Sequence, residues 1–478
     1  MLYYHLVEAH LGETGAVLSD GQQGYDYRQL HERICGIRAG FKERGLKPGD
    51  RVMIAAHNRM ETIVTVLACI ADGYIFVLFY PDLPEEEKTQ IRENCRPVLC
   101  MDGADDVYSE QVSMEKRMQM PADTRTCILY TSGSDGMSKG VTVSQKQILF
   151  CCGSINQRLM NTEEDRILCC LPLAFDYGLY QVFLAFLNHS LLYIADGKML
   201  QKIPRMLSEW KITAFPTLPS VMNLLIRTSL LKKLPLPLLR YISFTGEYLP
   251  VELIKKLMAA YPNTEIVPMY GLTECKRVSI MPFGRNDKKL AGSCGLPIPG
   301  IHVRLKDQDP DTGIGELIVS GPNVMEGYWE ARDSNTYAVD EATGETCVCT
   351  GDLFRIDEDG FLYFCGRKSR IMKMSGHRVS GIQIERKLEQ LAGGSIRELA
   401  VFGVKDEYRG EKAAIFVYSE DPEAERKIRQ ALKSLPEYMR NYVLYVQRVP
   451  LPRNRNGKID EVGLRKRMED REEHVLRK

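Results

Sequence analysis

The sequence predicts an α/β chain: a large N-terminal domain of βα layers with a β-rich subdomain, followed by a small α+β domain at the C-terminal end. Three observations lead there. Helical periodicity alternates with short apolar strands through the first hundred or so residues, strand-like segments follow one another after about residue 312, and 478 residues exceed what one ordinary core organises.

In order along the chain, Leu30 to Arg44 reads as a helix, Asp50 to Ala55 as a strand and Glu61 to Ile70 as a helix. Gly45, Pro48-Gly49 and the loop Pro81 to Pro84 punctuate them, as crossover units on a largely parallel sheet require. Further on, GELIVSG, LFRI and FLYFC flank the turn Asp357-Glu358-Asp359-Gly360 and read as antiparallel strands of a β-rich subdomain. From Ser369, strands at Ala400 to Val404, Ala414 to Tyr418 and Val443 to Val449 surround a helix at Pro422 to Ser434. The expected domains are therefore residues 1–368 and 369–478, and REEHVLRK reads as a solvated tail.

Charge and composition narrow the function. Lys+Arg 63 balance Asp+Glu 63, so no global field draws the chain to nucleic acid or anionic membrane, and any anion site must be local. Fourteen cysteines show no CxxC spacing and no paired histidines of a zinc site; reduced thiols and a cytoplasmic location are the expectation, since the start MLYYHLVEAHLGETG lacks the parts of an export signal. The most apolar stretch, Thr62 to Phe79, is broken by Asp72-Gly73, and reads as a buried helix turning into a strand rather than a membrane span.

The first chemical signal is ILYTSGSDGMSKGVTVS, Ile128 to Ser144. Gly133, Gly136 and Gly140 let backbone N–H groups approach an anion, while Thr131, Ser132 and Ser134 add hydroxyl donors and Lys139 adds charge. It is not a Walker A loop, and a Gly/Ser loop standing alone is an ordinary turn more often than a phosphate cradle. Three more segments follow in order: MYGLTE at 269–274, TGDLFRIDEDGFLYFCGRKSRIMKMSGHRVSGIQIE at 350–385, and PRNRNGKID at 452–460. Singly they read as a helix N-cap, a turn aspartate with a surface arginine, and a solvated lysine.

Together they resemble the adenylate-forming (AMP-binding) superfamily of acyl-CoA synthetases, nonribosomal-peptide adenylation domains and luciferases, over roughly residues 25 to 465. YTSGSDGMSKG is similar to that family's phosphate loop, with Asp135 and Ser138 where Thr and Pro are usual; a carboxylate beside ATP phosphates is repulsive, so Asp135 should point away or weaken nucleotide binding. The resemblance implies that Tyr270 stacks on adenine beside Gly271, with Gly246 and Glu247 near the adenine edge. It implies that Thr273 bonds the α-phosphate and that Glu274 holds Mg²⁺, a role that suits a hard oxygen ligand. It further implies that Asp352 accepts the ribose hydroxyls and Arg367 contacts ribose or phosphate. Lys458 would be the catalytic lysine, bridging the attacking carboxylate and the α-phosphate as charge builds there.

The implied reaction has two half-reactions, acid plus MgATP giving acyl-AMP and pyrophosphate, then attack by a pantetheine thiol of CoA or of a carrier protein. A mobile C-terminal domain would serve both, turning about Ser369, where many relatives have Asp, and presenting the loop around Gly376 to the thiol tunnel. For the acid, LPLAFDYGLYQVF at 171–183 is similar to the start of the acyl pocket: Asp176 coincides with the aspartate that pairs a substrate ammonium in amino-acid-activating members, or else caps the following helix. Tyr177 and Tyr180 would line that pocket, too bulky for an open fatty-acid tunnel, and Arg277 maps to a lining position that would meet a second anionic group if it faces inward.

No HHxxxD condensation motif or carrier segment is present, and LAGGSIREL lacks the spacing of a carrier attachment site, so a stand-alone ligase is expected. The alternatives are a fatty or aromatic acyl-CoA ligase, in which Asp176 is structural, and a catalytically silent nucleotide-binding regulator suggested by Asp135, Ser138 and Ser369.

Overall fold

The structure is a computed structural model. It describes residues 1–110, 120–132, 138–197, 200–228, 231, 234–284, 287–330, 336–339, 344–374, 377–406, 410–454 and 458–476. The chain forms two compact units, one of residues 1–303, 318–349 and 359–362, the other of 304–317, 350–358 and 363–478.

The first unit holds two largely parallel sheets. Among the described residues one runs Leu99–Met101, Arg51–Ala55, Ile75–Phe79, Arg125–Ser132, Ser138–Ser144, its last pair an antiparallel hairpin. The other includes the parallel run Leu191–Ile194, Arg166–Cys169, Ala214–Thr217, Tyr241–Phe244, Glu265–Tyr270, closed by antiparallel Ser279–Ile280. These strands are short, continuous apolar runs because helices cover their faces.

The βα reading of the N-terminal region holds in detail. The helix Tyr27–Glu43 starts at Asp26, whose side chain accepts the Gln29 N–H while the Gln29 side chain returns to the Asp26 N–H, a reciprocal cap. The apolar stretch near residue 70 is the buried helix Met60–Asp72, ended by left-handed Gly73 (φ 74°), then the strand Ile75–Phe79. No helix among the described residues is long and apolar enough to cross a membrane.

In the second unit, Gly410–Tyr418 pairs antiparallel with Glu398–Asp406 and parallel with Tyr442–Gln447. The helices Gly381–Ala392 and Ala424–Lys433 cover one face through Ile384, Leu388, Ile428 and Leu432. The other face carries Phe402 and Phe416 against Leu464 and Met468 of the helix Glu461–Leu476. The sequence did not place this helix; Leu464 and Met468, four apart, give it a face to bury, and it runs on into the expected tail REEHVLRK, whose side chains lie outside the described residues.

Candidate active site

In the first unit the motifs gather where the parallel strands end, the usual ligand position of an open α/β sheet. The Gly/Ser segment joins the antiparallel strands Arg125–Ser132 and Ser138–Ser144, with Thr131 opposite Lys139. Gly133, Ser134, Asp135, Gly136 and the side chains of Ser132 and Ser138 lie outside the described residues. The Thr131 hydroxyl donates to the Lys139 carbonyl at 3.5 Å, and Gly140 is required because a Cβ there would meet Ile128 Cγ2 at 2.6 Å.

Lys139 and Glu274, chosen from separate motifs, meet at one side chain. Tyr328 donates its hydroxyl to Glu274 Oε1 at 2.9 Å, and its ring lies 5.4 Å below Lys139 Nζ. The segment carrying Tyr328 is fastened to the hairpin, since Trp329 N donates to Gly140 O at 2.7 Å. Glu274 is half-buried with Oε2 making no bond to a described residue, so its donor set fits a hard cation such as Mg²⁺, which would screen phosphate charge there. The only compact group of metal-ligating side chains among the described residues is elsewhere in sequence, His10, Glu13 and His189.

Tyr270 ends the strand Glu265–Tyr270, nine-tenths buried, and Gly271 opens a loop that doubles back so closely that a Cβ on Gly271 would lie 1.8 Å from Lys276 O. Thr273 is half-buried in that loop. Beside it, Gly246 (φ 86°) turns the chain after the strand Tyr241–Phe244, and Glu247 accepts the Ser220 N–H at the start of the helix Pro219–Arg227.

Asp176 is the first residue of the helix Asp176–Leu187, half-buried, and its carboxylate bonds to no described residue. Tyr177 and Tyr180 are buried on that helix. The Tyr177 hydroxyl meets Ser243 Oγ at 2.8 Å, fixing the helix to the end of the strand Tyr241–Phe244, and burial pushes its phenol up to about 12 while Arg277 pulls it down. Arg277 Cζ lies 4.8 Å from the Tyr177 ring centroid, so Arg277 does face the interior.

In the second unit, Asp352 and Arg367 come together across strands Thr346–Ile356 and Leu362–Arg367, Arg367 Nε donating to Asp352 Oδ1 at 2.7 Å. Asp352 is 2% exposed, and Thr350 Oγ1 accepts its backbone N–H at 3.1 Å. Next to it Glu316 accepts from Gly351 N and from Lys368 Nζ. Ser369 is exposed in a single 3₁₀ turn, Lys368–Arg370, and Gly376 lies outside the described residues. Lys458 closes a turn that Asn454 holds twice: Asn454 Oδ1 accepts the Lys458 N–H, and Lys458 O accepts the Asn454 N–H at 2.7 Å.

With this geometry established, comparison decides the family. The family model for the AMP-binding enzyme matches residues 7–329. The chain belongs to the AMP-binding enzyme family. It is 27% identical to 4-coumarate–CoA ligase 3 of Oryza sativa subsp. japonica, covering 96% of this chain and 91% of that protein. It is 26% identical to bacitracin synthase 1 of Bacillus licheniformis over 91% of this chain, but spans only 8% of that protein. Among solved structures, ATP-bound MatB of Rhodopseudomonas palustris has the same fold (TM-score 0.88, 21% identity, 98% of this chain, 99% of that one). VinN in complex with L-aspartate is 28% identical, with TM-score 0.67 over 77% of this chain and 98% of that one.

Sequence reasoning passed over three residues of this site. Tyr328 lay outside the motif segments, and Lys276 stood unremarked beside Arg277. Asn323 is buried and donates to Cys275 O at 2.8 Å and Arg277 O at 3.3 Å, holding the loop from below. Adjacent basic residues in TECKR were the one signal available.

Proposed function

We propose that this ligase converts a small carboxylic acid, an amino acid being the leading candidate, to its acyl-AMP and then passes the acyl group to the pantetheine thiol of CoA or a carrier protein. The observation that carries the reading is the junction at Tyr328, which holds a phosphate-loop lysine and a metal-type glutamate around one place. Thr131, Ser132, Gly133, Ser134, Gly136 and Lys139 bind the phosphates, Tyr270, Gly271, Gly246 and Glu247 the adenine, and Asp352 with Arg367 the ribose. Thr273 holds the α-phosphate, and Glu274 is the Mg²⁺ ligand.

Lys458 acts through charge. As the acid's oxygen attacks the α-phosphorus and the bond to pyrophosphate breaks, its ammonium offsets the negative charge that gathers there. It belongs to a C-terminal domain, residues 369–478, that turns about Ser369 and brings the loop at Gly376 to the thiol in the second half-reaction. The amino-acid reading rests on Asp176, half-buried with no partner among the described residues, as a site for an ammonium would be before substrate arrives. VinN, similar over its whole length, is seen with L-aspartate.

Pyrophosphate exchange across a panel of amino and simple carboxylic acids tests the reading. Exchange with at least one acid is expected. None with any acid would overturn it and favour the nucleotide-binding regulator; exchange confined to fatty or cinnamate-like acids would leave Asp176 structural and the acyl-CoA ligase reading standing.

A further inference from the structure

Two adjacent cations in the first unit are buried with no ion pair to an acid among the described residues. Lys276 is 4% exposed and Arg277 7%. Lys276 Nζ donates to the Thr273 carbonyl at 2.7 Å and stands 5.9 Å over the Tyr180 ring. The Arg277 guanidinium lies over the Tyr177 ring, and its Nε has no hydrogen-bond partner. Neither forms an ion pair with any described residue. Elsewhere this unit compensates its buried cations: Arg38 holds Asp72 with two bonds, at 3.0 and 2.7 Å.

The loop is built to keep them there. Lys276 is left-handed (φ 56°), a conformation a lysine adopts only under constraint, and Gly271 leaves room for its carbonyl. Asn323 ties the carbonyls on both sides of Lys276. A buried charge without a counter-ion is costly, and a strained loop that maintains two of them side by side implies that the counter-ion comes with a ligand. Both cations pack on the rings of the helix Asp176–Leu187, the acid side of the site, whereas Lys139 and Glu274 meet at Tyr328. A planar guanidinium on an aromatic face, with an ammonium from the next residue, suits a carboxylate.

We propose that Lys276 and Arg277 form an anion subsite that receives a second acidic group of the substrate, so that the acid activated here is a dicarboxylic or amino-dicarboxylic acid. This rests on the adenylation reading for the fate of the first carboxylate. The second remains ionised at the subsite and takes no part in the reaction.

The test pairs each diacid with a matched monoacid: L-aspartate with L-asparagine, and succinate with its monomethyl ester. Each is titrated calorimetrically into the full chain, the Arg277→Leu variant and the Lys276→Met variant, with AMP titrated separately. We expect the diacid to bind roughly ten- to a hundredfold tighter than its partner in at least one pair. The gap should close in Arg277→Leu and narrow in Lys276→Met, with AMP affinity unchanged. If Arg277→Leu does not fold, Arg277→Lys, which keeps charge but loses the planar fork, carries the comparison and should narrow the gap.

Equal binding within both pairs, failure of both diacids to bind, or a gap that survives in a folded Arg277→Leu would overturn the subsite. A loss of AMP affinity in place of the diacid preference would also overturn it, assigning the cations to the nucleotide. Pyrophosphate exchange run in parallel separates the two readings. Exchange with monoacids only would sink the subsite and leave adenylation intact; a diacid preference in the titration with no exchange for any acid would sink adenylation alone.

Discussion

The two units handle charge at their motif residues in opposite ways. In the second, Asp352 is matched by Arg367, Glu316 by Lys368, Glu461 by Arg370 and Glu398 by Arg453, each within 3.0 Å. In the first, the loop Gly271–Arg277 carries Lys276 and Arg277 against aromatic rings, and Asp176 starts its helix with no partner among the described residues. Paired charges offset one another's desolvation; uncompensated buried ones carry a folding cost that a ligand can relieve. Under the proposed function the first unit is where substrate charge is recognised, and motif residues of the second are held in position by their own neighbours.

The largest expected effect breaks or confirms that contrast directly. Asp72→Ala strands Arg38, and is expected to destabilise the first unit by about 3–5 kcal/mol in urea denaturation, the usual result of removing half of a buried pair. Arg277→Leu removes a charge with no ion-pair partner among the described residues, and should leave stability within about 0.5 kcal/mol of the wild type or raise it. Similar losses in the two variants would show that Arg277 is compensated after all.

Lys458→Ala comes next. It should slow acyl-AMP formation by on the order of a hundredfold or more while sparing thiolysis of supplied acyl-AMP, because the Asn454 bonds to the residue's backbone persist and only the ammonium is lost. Single-turnover assays of each half-reaction measure it, and equal losses in both would remove Lys458 from its assigned step.

How much of this was legible follows from what fixes each feature. The helix-to-strand passage at Asp72-Gly73 and the helix read from Leu30 to Arg44 were readable because local chemistry decides them. The hairpin Ile371–Met374 with His377–Ser380 and the helix Glu461–Leu476 were missed: the first is short and charged, and the second gains its stability from Phe402 and Phe416, far away in sequence. Tyr328 and Lys276 were invisible for a related reason. Their roles exist only when the segment after the strand Gly315–Ser320 folds against the hairpin and when Gly271 lets the loop close on itself. Motif spacing found the residues that resemble the family's, and packing found the ones that position them.

A smaller effect tests the second unit's self-sufficiency. Glu385 accepts the Val401 N–H at 2.8 Å, and burial pushes its carboxyl up to about 7, with neighbouring Glu389 also raised by burial to about 7. The folded state therefore keeps protons that the unfolded chain has already released. Stability should fall as pH rises from about 4.5 to about 7 and then level off. Glu385→Gln should flatten part of that slope in thermal unfolding; an unchanged slope would mean that the carboxyl titrates normally.

The smallest expected effect probes the junction in the first unit. Tyr328→Phe keeps the ring under Lys139 but removes the hydroxyl that donates to Glu274 Oε1. One hydrogen bond to a charged group contributes roughly 1.5–3 kcal/mol when buried and less at a half-exposed carboxylate, so KM for MgATP should rise several-fold at fixed acid. Because the lost bond orients a carboxylate rather than supplying a reacting group, the maximal rate should change less than KM, and raising Mg²⁺ should recover part of the loss. A fall in the maximal rate with KM unchanged would place Tyr328 against the reacting atoms instead, and the lysine and the glutamate would then meet there for a different purpose.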